Sequence, residues 1–303
     1  MQNGWVDAEN LRYLLEVART GRLRDAAARL QVDETTVSRR ISRLEQELGV
    51  RMFDRTPQGW RVTESGRLVL PHAEAVESSV SRALEAVVSP VGSLSGAARI
   101  LAPDGFGGNV LMPGLRPLVE AHPALELEVI TATSHDLITA RDFDVAVTLE
   151  RSAPRAASVS HLADYELRFY ASHTYLEQHG QPATVEALRD EHALIWYVDA
   201  LLDVLPLRIL DELLPHARAR VQTNNITGQL SAARAGLGVA LLPTYIGAVD
   251  PALAPVLPDR LRIRRTYWMI VPRDLAEVRR VRELTVALRS LVAAHAHLIA
   301  REP

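Results

Sequence analysis

Two residue types that many proteins use for chemistry are missing from this sequence. Its 303 residues include no cysteine, which excludes disulfides, thiolate metal ligands, a catalytic cysteine and thiol-based redox sensing. Lysine is also missing, so all 34 basic residues are arginine. Base composition of the coding sequence is enough to explain the missing lysine, and we attach no function to it.

Long apolar runs are missing as well. No run approaches the roughly 20 residues that a membrane-spanning helix needs. No signal segment precedes the first amphipathic pattern, which already mixes acidic and basic residues between Trp5 and Leu15. We therefore expect no membrane partner and a cytoplasmic location.

Catalytic motifs are also lacking. The sequence contains no HExxH, GxSxG or Walker loop, and no GxGxxG with its acidic partner. The ten histidines are scattered, and none pairs with a carboxylate cluster at metal-ligand spacing. We expect no enzyme activity, no catalytic residues, no metal and no cofactor.

The length predicts two or three domains, and 48% apolar with 23% charged residues is typical of a globular protein. Net charge is −3, but it is unevenly distributed. Residues 1–67 hold 12 Arg against 10 acidic residues, and the remainder holds 22 Arg against 27. The small basic excess lies at the N-terminus.

Apolar residues at helical spacing predict three helices near the N-terminus. In the third, Asp33 is placed to cap the first turn, and one buried stripe recurs at i, i+4, i+7 and i+11, formed by Val37, Ile41, Leu44 and Leu48. Only residues 31–33 separate it from the second helix, which is typical of a helix-turn-helix. The opposite face carries Thr35, Arg39, Ser42, Arg43 and Gln46, with Thr36 beside it.

Such a face suits DNA, because arginine can bond guanine O6 and N7 and threonine suits several base edges. Two short strands follow, Met52–Phe53 and Trp60–Val62, and predict a wing whose Arg55 and Arg61 would meet phosphates or a minor groove. The alternative for any single arginine is a solvated surface charge.

Residues 8–70 resemble the winged helix-turn-helix of LysR-type transcriptional regulators. The resemblance rests on AAARLQV, TTVSRRISRLEQELGVRMFDR and VTESG, and it implies base contacts at four positions of the third helix. With the flanking residues, the predicted DNA-binding set is Glu34, Thr35, Thr36, Ser38, Arg39, Arg40, Arg43, Arg55 and Arg61.

A longer helix is predicted from a Thr63 cap to about Val88, with a bend near Pro71. Small apolar residues alternate steps of four and three along it, a heptad seam; the alternative is a helix packed on its own domain. The resemblance implies dimerisation through this helix, so the predicted contacts are Val69, Val76, Val80, Ala83 and Val87. Residues 89–96 predict a hinge.

The remaining two thirds alternate strands and helices. ARILAP, LELEVITA and FDVAVTL predict strands, with helices through Leu111–Val119 and over SHDLITA, which together form a βαβαβ, mostly parallel pattern. VSHLADYELRFYASHTYL predicts two extended segments. ALIWYV, ARVQTN, the helix ITGQLSAARAG and LGVALLP form a second half, before TYWMIVP and a long terminal helix.

This layout, with TNNITGQLSAARAGLGVALLP, resembles the effector domain of the same family. The predicted fold class is α+β/α/β: a winged helix-turn-helix over 1–66, a linker helix over 67–90, and a two-lobed α/β effector domain over 91–303 that is similar to periplasmic binding proteins. Lobe I is predicted at about 94–163 and 265–303, and lobe II at about 164–264.

In such folds a ligand lies between the lobes, where strand ends and helix N-termini converge. Three stretches qualify and predict the effector-binding residues Asp104, Gly105, Thr131, Thr133, Ser134, Asn225, Ile226 and Thr227. Their hydroxyls, amides and free N–H groups suit an anion, and ordinary helix capping is the alternative. An acid at Asp104 would disfavour a carboxylate ligand and favour a cationic or hydroxylated one.

The sequence thus predicts a ligand-responsive transcription regulator. Its expected partners are double-stranded DNA, a small-molecule effector, further copies in a homodimer or homotetramer, and RNA polymerase. The alternative is a small-molecule binding protein or enzyme on the same two-lobed fold with an accessory N-terminal helical unit.

Overall fold

A computed structural model of the chain describes residues 7–56, 59–88, 94–131, 143–151, 157–201, 204–273 and 275–295. The chain divides into two compact units, Met1–Pro90 and Val91–Pro303, and each has its own hydrophobic core. No helix among the described residues is both long and apolar enough to cross a membrane.

The N-terminal unit contains the predicted helix-turn-helix and wing. Its elements are α1 (Ala8–Thr20), α2 (Leu23–Leu30), α3 (Glu34–Leu48), β1 (Phe53–Thr56), β2 (Gly59–Val62) and α4 (Glu64–Val88). Val37, Ile41 and Leu44 are fully buried, as the stripe predicts, but Leu48 is 36% exposed. Leu48 is the last residue of α3, where the helix ends before Gly49 at φ +70°.

The wing is an antiparallel pair with Arg55 opposite Trp60. It is fastened to the turn between α1 and α2 because Trp60 N donates to Gly21 O at 2.8 Å. Gly59 is required at this contact: its φ is +139°, and a Cβ there would lie 2.5 Å from Gly21 O.

Helix α4 begins after Thr63, whose Oγ1 accepts from Gly66 N at 3.0 Å, and it continues through Pro71. Ala73 is 1% exposed and packs with the core of its own unit, together with Val69. The first part of the predicted heptad seam therefore packs in the core of its own unit, which is the alternative given above for this pattern. Val80 is 55% exposed. The side chain of Val87 and the first residues of the predicted hinge, 89–93, lie outside the described residues.

The C-terminal unit is built on a mixed sheet. Its strands are β3 (Ser95–Ala102), β4 (Ala124–Thr131), β5 (Val145–Thr148), β6 (Ala157–Ser172), β7 (Leu194–Tyr197), β8 (Ala219–Thr223), β9 (Val239–Pro243), β10 (Leu253–Val256) and β11 (Ile263–Pro272). In the described chain their order is β4-β3-β5-β11-β6-β9-β7-β8, with β10 paired to β6.

The helices of this unit follow the same chain order. A helical stretch, α5, comprises Asp104–Phe106, a π-helical turn Gly107–Leu111, Met112–Gly114 and Arg116–Ala121. Next come α6 (His173–His179), α7 (Val185–Glu191), α8 (Leu210–Leu213), α9 (Ile226–Arg234), α10 (Thr244–Gly247) and α11 (Arg279–Ala294). The helix predicted over SHDLITA lies outside the described residues.

Two long strands connect the halves of the sheet. We call the side with β3, β4 and β5 lobe I and the side with β7, β8, β9 and β10 lobe II. Strand β6 spans 16 residues and pairs antiparallel with β11 from Leu167–Ile263 to Ala157–Pro272. The prediction of two separate extended segments was wrong: β6 is one strand, although its register with β11 shifts at a β-bulge between Tyr267 and Trp268.

Parallel pairing holds within each lobe but not between them. In lobe I β3 pairs parallel with β4 and β5, and in lobe II β7 pairs parallel with β8 and β9. The central pairings of β6 with β9, β10 and β11 are antiparallel. The sheet is thus mixed rather than mostly parallel. The predicted lobe boundaries stay predictions, since β6 and β11 run through both lobes.

Candidate nucleic-acid interface and ligand cleft

The first turn of α3 is organised by Asp33. Its Oδ1 accepts from Thr36 N at 2.7 Å, its Oδ2 accepts from Thr36 Oγ1 at 3.0 Å, and Thr35 Oγ1 also donates to Oδ1. These hydrogen bonds from Thr35 and Thr36 lower the pKa of Asp33 from 3.8 to about 2. The predicted N-cap is confirmed, and it holds the hydroxyl groups of Thr35 and Thr36 on Asp33.

The outward face of α3 is exposed. Glu34, Thr35, Arg39 and Arg43 are exposed, and Ser38 is half-buried. Arg43 forms an i,i+4 ion pair with Glu47, Nε to Oε1 at 2.9 Å, but its side chain remains 62% exposed. The face therefore offers hydroxyl and guanidinium groups to a partner outside this unit.

Arg40 behaves differently from its neighbour Arg39. Its guanidinium pairs with Asp7 at 3.3 Å and Glu9 at 3.1 Å, donates to Asn10 Oδ1 at 3.3 Å, and lies 5.6 Å from the ring centroid of Tyr13. These contacts fasten α3 to the start of α1. Arg40 is thus an internal link of the helix-turn-helix in this structure.

The two wing arginines also differ. Arg55 lies over the Trp60 ring, 4.5 Å from its centroid, and its Nη2 donates to Ser42 Oγ of α3 at 3.4 Å. Arg61 is exposed and lies opposite Asp54 in the strand pair. Arg55 therefore joins the wing to α3, whereas Arg61 extends from the opposite strand.

In the C-terminal unit, the start of α5 in lobe I contacts the start of α9 in lobe II. Asp104 Oδ2 accepts from Thr227 N at 3.1 Å and from Thr227 Oγ1 at 2.9 Å. A Cβ added to Gly105 would lie 3.0 Å from Ile226 Cγ2. Four of the predicted effector-binding residues therefore meet at one place, between the lobes.

Two other predicted ligand residues have structural neighbours. Asn225 is the N-cap of α9, and its Oδ1 accepts from Gly228 N at 2.6 Å. Thr131, at the end of β4, lies against α5, since a Cβ on Gly107 would be 2.4 Å from Thr131 Cγ2. Thr133 and Ser134 lie outside the described residues.

A buried tyrosine cluster lies beside this contact. Tyr165 of β6 and Tyr267 of β11 stack with centroids 4.2 Å apart, and the Tyr245 and Tyr267 hydroxyls are 2.6 Å apart. The Tyr245 hydroxyl lies 3.3 Å from a Cβ built on Gly105. Burial raises the pKa of each of the cluster tyrosines, which are Tyr165, Tyr197, Tyr245 and Tyr267. The hydroxyls therefore stay protonated and can donate hydrogen bonds.

Sequence reasoning missed this cluster and the Asp104–Thr227 pair. Asp104 and Thr227 are 123 residues apart in the sequence, and the long-range strand pairings that bring them together, among them β6 with β11, appear in no local pattern. A usable signal was the placement of tyrosines at Tyr197 and Tyr245, next to the ends of two apolar strands. Among the described residues, no group of three or more His, Asp or Glu could hold a metal ion.

Both units match known families. Residues 8–67 match "Bacterial regulatory helix-turn-helix protein, lysR family", and residues 92–293 match "LysR substrate binding domain". The chain belongs to the LysR family of transcriptional regulators. The regulator thus combines a family DNA-binding module with a family effector-binding domain, and the alternative of an accessory helical unit on a binding protein or enzyme is not favoured.

Relatives of this regulator are themselves regulators. It is 25% identical to the Mau operon transcriptional activator of Paracoccus denitrificans over 280 residues, which cover 91% of this chain and 93% of that protein. It is 26% identical over 196 residues to the transcriptional activator TtdR of Escherichia coli, covering 64% of this chain and 63% of TtdR.

Solved structures share the fold. ArgP of Mycobacterium tuberculosis has a TM-score of 0.71 at 22% identity, covering 95% of this chain and 98% of ArgP. Full-length LysG of Corynebacterium glutamicum, solved with bound effector Arg, has a TM-score of 0.67 at 17% identity, covering 98% of this chain and 100% of LysG. The chain, including its two-lobed C-terminal domain, therefore shares the fold of full-length LysR-type regulators.

Proposed function

We propose that this regulator recognises a specific DNA operator through α3 and the wing. Support comes from the exposed outer face of α3, which is the single observation that carries the proposal. Glu34, Thr35, Ser38 and Arg39 read base edges, while Thr36, Arg43, Arg55 and Arg61 meet the flanking backbone. Arg40 holds α3 in place through its ion pairs with α1.

The proposal includes an effector bound between the lobes. The supporting contact is that of Asp104 and Gly105 with Ile226 and Thr227, beside the tyrosine hydroxyls. A ligand that favours one pose of the lobes shifts the population of DNA-binding states by its difference in affinity for the two.

Assembly completes the proposal. The regulator acts as a homodimer or homotetramer joined through the exposed part of α4, contacts RNA polymerase at the promoter, and works in the cytoplasm where the DNA lies. Exposed Leu68 and Val80 on α4 support the first of these statements.

The test is a gel shift with DNA that flanks the regulator's own gene. Arg39→Ala is expected to weaken specific binding by about 1–3 kcal/mol and to relax discrimination at one base pair. Arg61→Ala is expected to weaken all sequences alike and to flatten the salt dependence. Arg116→Ala, which removes an 80% exposed arginine of α5, is the charge-matched control.

The control should bind like the unmodified protein. Normal operator affinity for Arg39→Ala at physiological salt would show that α3 is not the recognition helix. Equal retention of unrelated DNA by the unmodified protein would remove the claim of specificity.

A further inference from the structure

The N-terminus of α9 already holds a carboxylate. Its first turn has three donors, which are Thr227 N, Thr227 Oγ1 and Gly228 N. Asp104 Oδ2 accepts the first two, and Asn225 Oδ1 accepts the third. Helix N-termini favour anions because their free N–H groups and the helix dipole both point toward negative charge. Here the anion belongs to the chain itself.

This carboxylate comes from the opposite lobe. Asp104 begins α5 directly after β3 in lobe I, and α9 lies between β8 and β9 in lobe II. The next residue, Gly105, approaches Ile226 so closely that even a Cβ would meet its Cγ2 at 3.0 Å. The contact therefore joins the two lobes at the start of both helices.

The negative charge of Asp104 also affects the neighbouring tyrosines. After burial and the neighbouring tyrosines, it adds to the rise in the pKa of Tyr197 and Tyr245. A second carboxylate placed here would meet a like charge and would find the first-turn donors occupied. Anion binding at this helix start therefore competes directly with Asp104.

A buried donor lies one turn farther along α9. Gln229 follows Ile226 at i+3, so both lie on the same face of the helix. It is 1% exposed, and its Nε2 has no hydrogen-bond partner in the part of the chain that the structure describes. A buried donor without a partner costs free energy, and an acceptor such as a ligand hydroxyl or carbonyl would remove that cost.

We propose that Asp104 is the specificity-determining residue of the ligand cleft, because it acts as an internal anion that closes lobe I onto α9 and excludes carboxylate ligands from that helix. The proposal rests on the proposed effector site and deepens it. The cleft is reserved for ligands without an anionic group at this position, and removal of the Asp104 carboxylate converts it into a carboxylate site.

The experiment measures the thermal unfolding of the full chain with sodium acetate as the probe, against sodium chloride at equal ionic strength. Asp104→Ala is expected to lower Tm by about 3–8 °C, since hydrogen bonds to a charged group are lost. Acetate should then raise the Tm of this variant in a saturable manner and leave the unmodified protein unchanged.

Two variants serve as controls. Asp104→Asn keeps a side chain of the same size at the α9 N-terminus, so acetate cannot enter and should not raise its Tm. Asp164→Ala removes another Asp–Thr pair, in which Thr266 Oγ1 donates to Asp164 Oδ1 at 2.6 Å, but that pair joins β6 to β11 away from any helix start. Acetate should not raise its Tm either.

Two results would overturn the inference. One is an Asp104→Ala variant with no acetate response, whether or not its Tm falls, since the vacated helix start would then not accept a carboxylate. The other is a saturable acetate response in the unmodified protein equal to that of the variant. The acetate experiment contains no DNA, so either result would disprove the role of Asp104 without disproving operator binding. Conversely, a gel shift without operator specificity would disprove the proposed DNA recognition without changing the conclusion about Asp104.

Discussion

Arg19 of α1 forms a double ion pair with Glu77 of α4: Nη1 lies 3.2 Å from Oε1, and Nη2 lies 2.7 Å from Oε2. The same guanidinium donates to Glu16 Oε1 at 2.8 Å. Burial alone lowers the pKa of Arg19, but the hydrogen bonds and charges of Glu77 and Glu16 outweigh it and raise that pKa. The pair connects the helix-turn-helix to α4 across 58 residues of sequence.

Breaking this pair should loosen α1 from α4. We expect Arg19→Met to lower the stability of the N-terminal unit by about 1–3 kcal/mol, because Glu16 and Glu77 lose charged hydrogen bonds in a partly buried place. Hydrogen exchange of the α1 amides in the full chain measures it. A cycle with Glu77→Ala should give a coupling of about 1–2 kcal/mol, whereas additive effects would mean that the two side chains do not interact.

Self-association should depend on the exposed part of α4. Val80→Glu is expected to shift the protein toward smaller species in sedimentation, because Val80 is 55% exposed within the chain and the proposed contact between copies would bury an unpaired charge there. Val249→Glu, at 57% exposed in the C-terminal unit, is the matched control. A monomeric unmodified protein, or equal effects of both substitutions, would contradict dimerisation through α4.

Asn225 should matter for helix stability whether or not an effector is present. Asn225→Ala removes the oxygen that accepts from Gly228 N, and we expect a loss of about 1 kcal/mol in unfolding free energy. Asn225→Ser keeps a neutral capping oxygen beside Asp104 and should retain most of that stability. Denaturant titration of both variants measures the difference, and equal stability of the alanine and serine variants would show that the cap contributes nothing.

His192 should make the protein less stable in mild acid. Burial, and then the charge of His179, lower the pKa of His192 below its ordinary value of 6.5, and its Nδ1 has no hydrogen-bond partner among the described residues. His192 is therefore protonated more readily in the unfolded chain than in the folded protein. The free energy of unfolding consequently falls as pH drops from about 7 to about 5.

The comparison of Tm against pH isolates this group. His192→Phe should have a flatter profile than the unmodified protein over that window. His216→Asn is the control, because His216 is exposed and its φ of +65° suits asparagine. Parallel profiles for the unmodified protein and His192→Phe would assign the acid sensitivity to other groups.

Prediction from sequence succeeded where the determinants are local. The Asp33 cap, the Val37–Ile41–Leu44 stripe and the short turn before α3 all lie within 15 residues or so, which is the range over which helical periodicity acts. The apolar runs of β5, β7 and β9 were likewise readable, since each is buried along its whole length and such a strand must be apolar on both faces.

Prediction fell short where a residue's partner is distant. The period-seven pattern of α4 could not distinguish a seam between subunits from the core of its own unit, and Ala73 lies in that core. Arg40 and Arg39 are adjacent and chemically identical, yet only Arg40 reaches the acids at the start of α1. The DNA-binding and effector assignments accordingly stay predictions, although the fold is confirmed.

The position of β11 at the centre of the sheet has a consequence for biosynthesis. The chain is synthesised from its N-terminus, and β11 begins at Ile263. Before that residue is added, β6 can already pair with β9 and β10, and β7 can pair with β8 and β9. The strands of lobe II can therefore pair on the ribosome while β5 still lacks β11, its antiparallel neighbour. A nascent chain stalled in that interval exposes the unpaired edges of β5 and β6, and unpaired strand edges are templates for pairing with other chains.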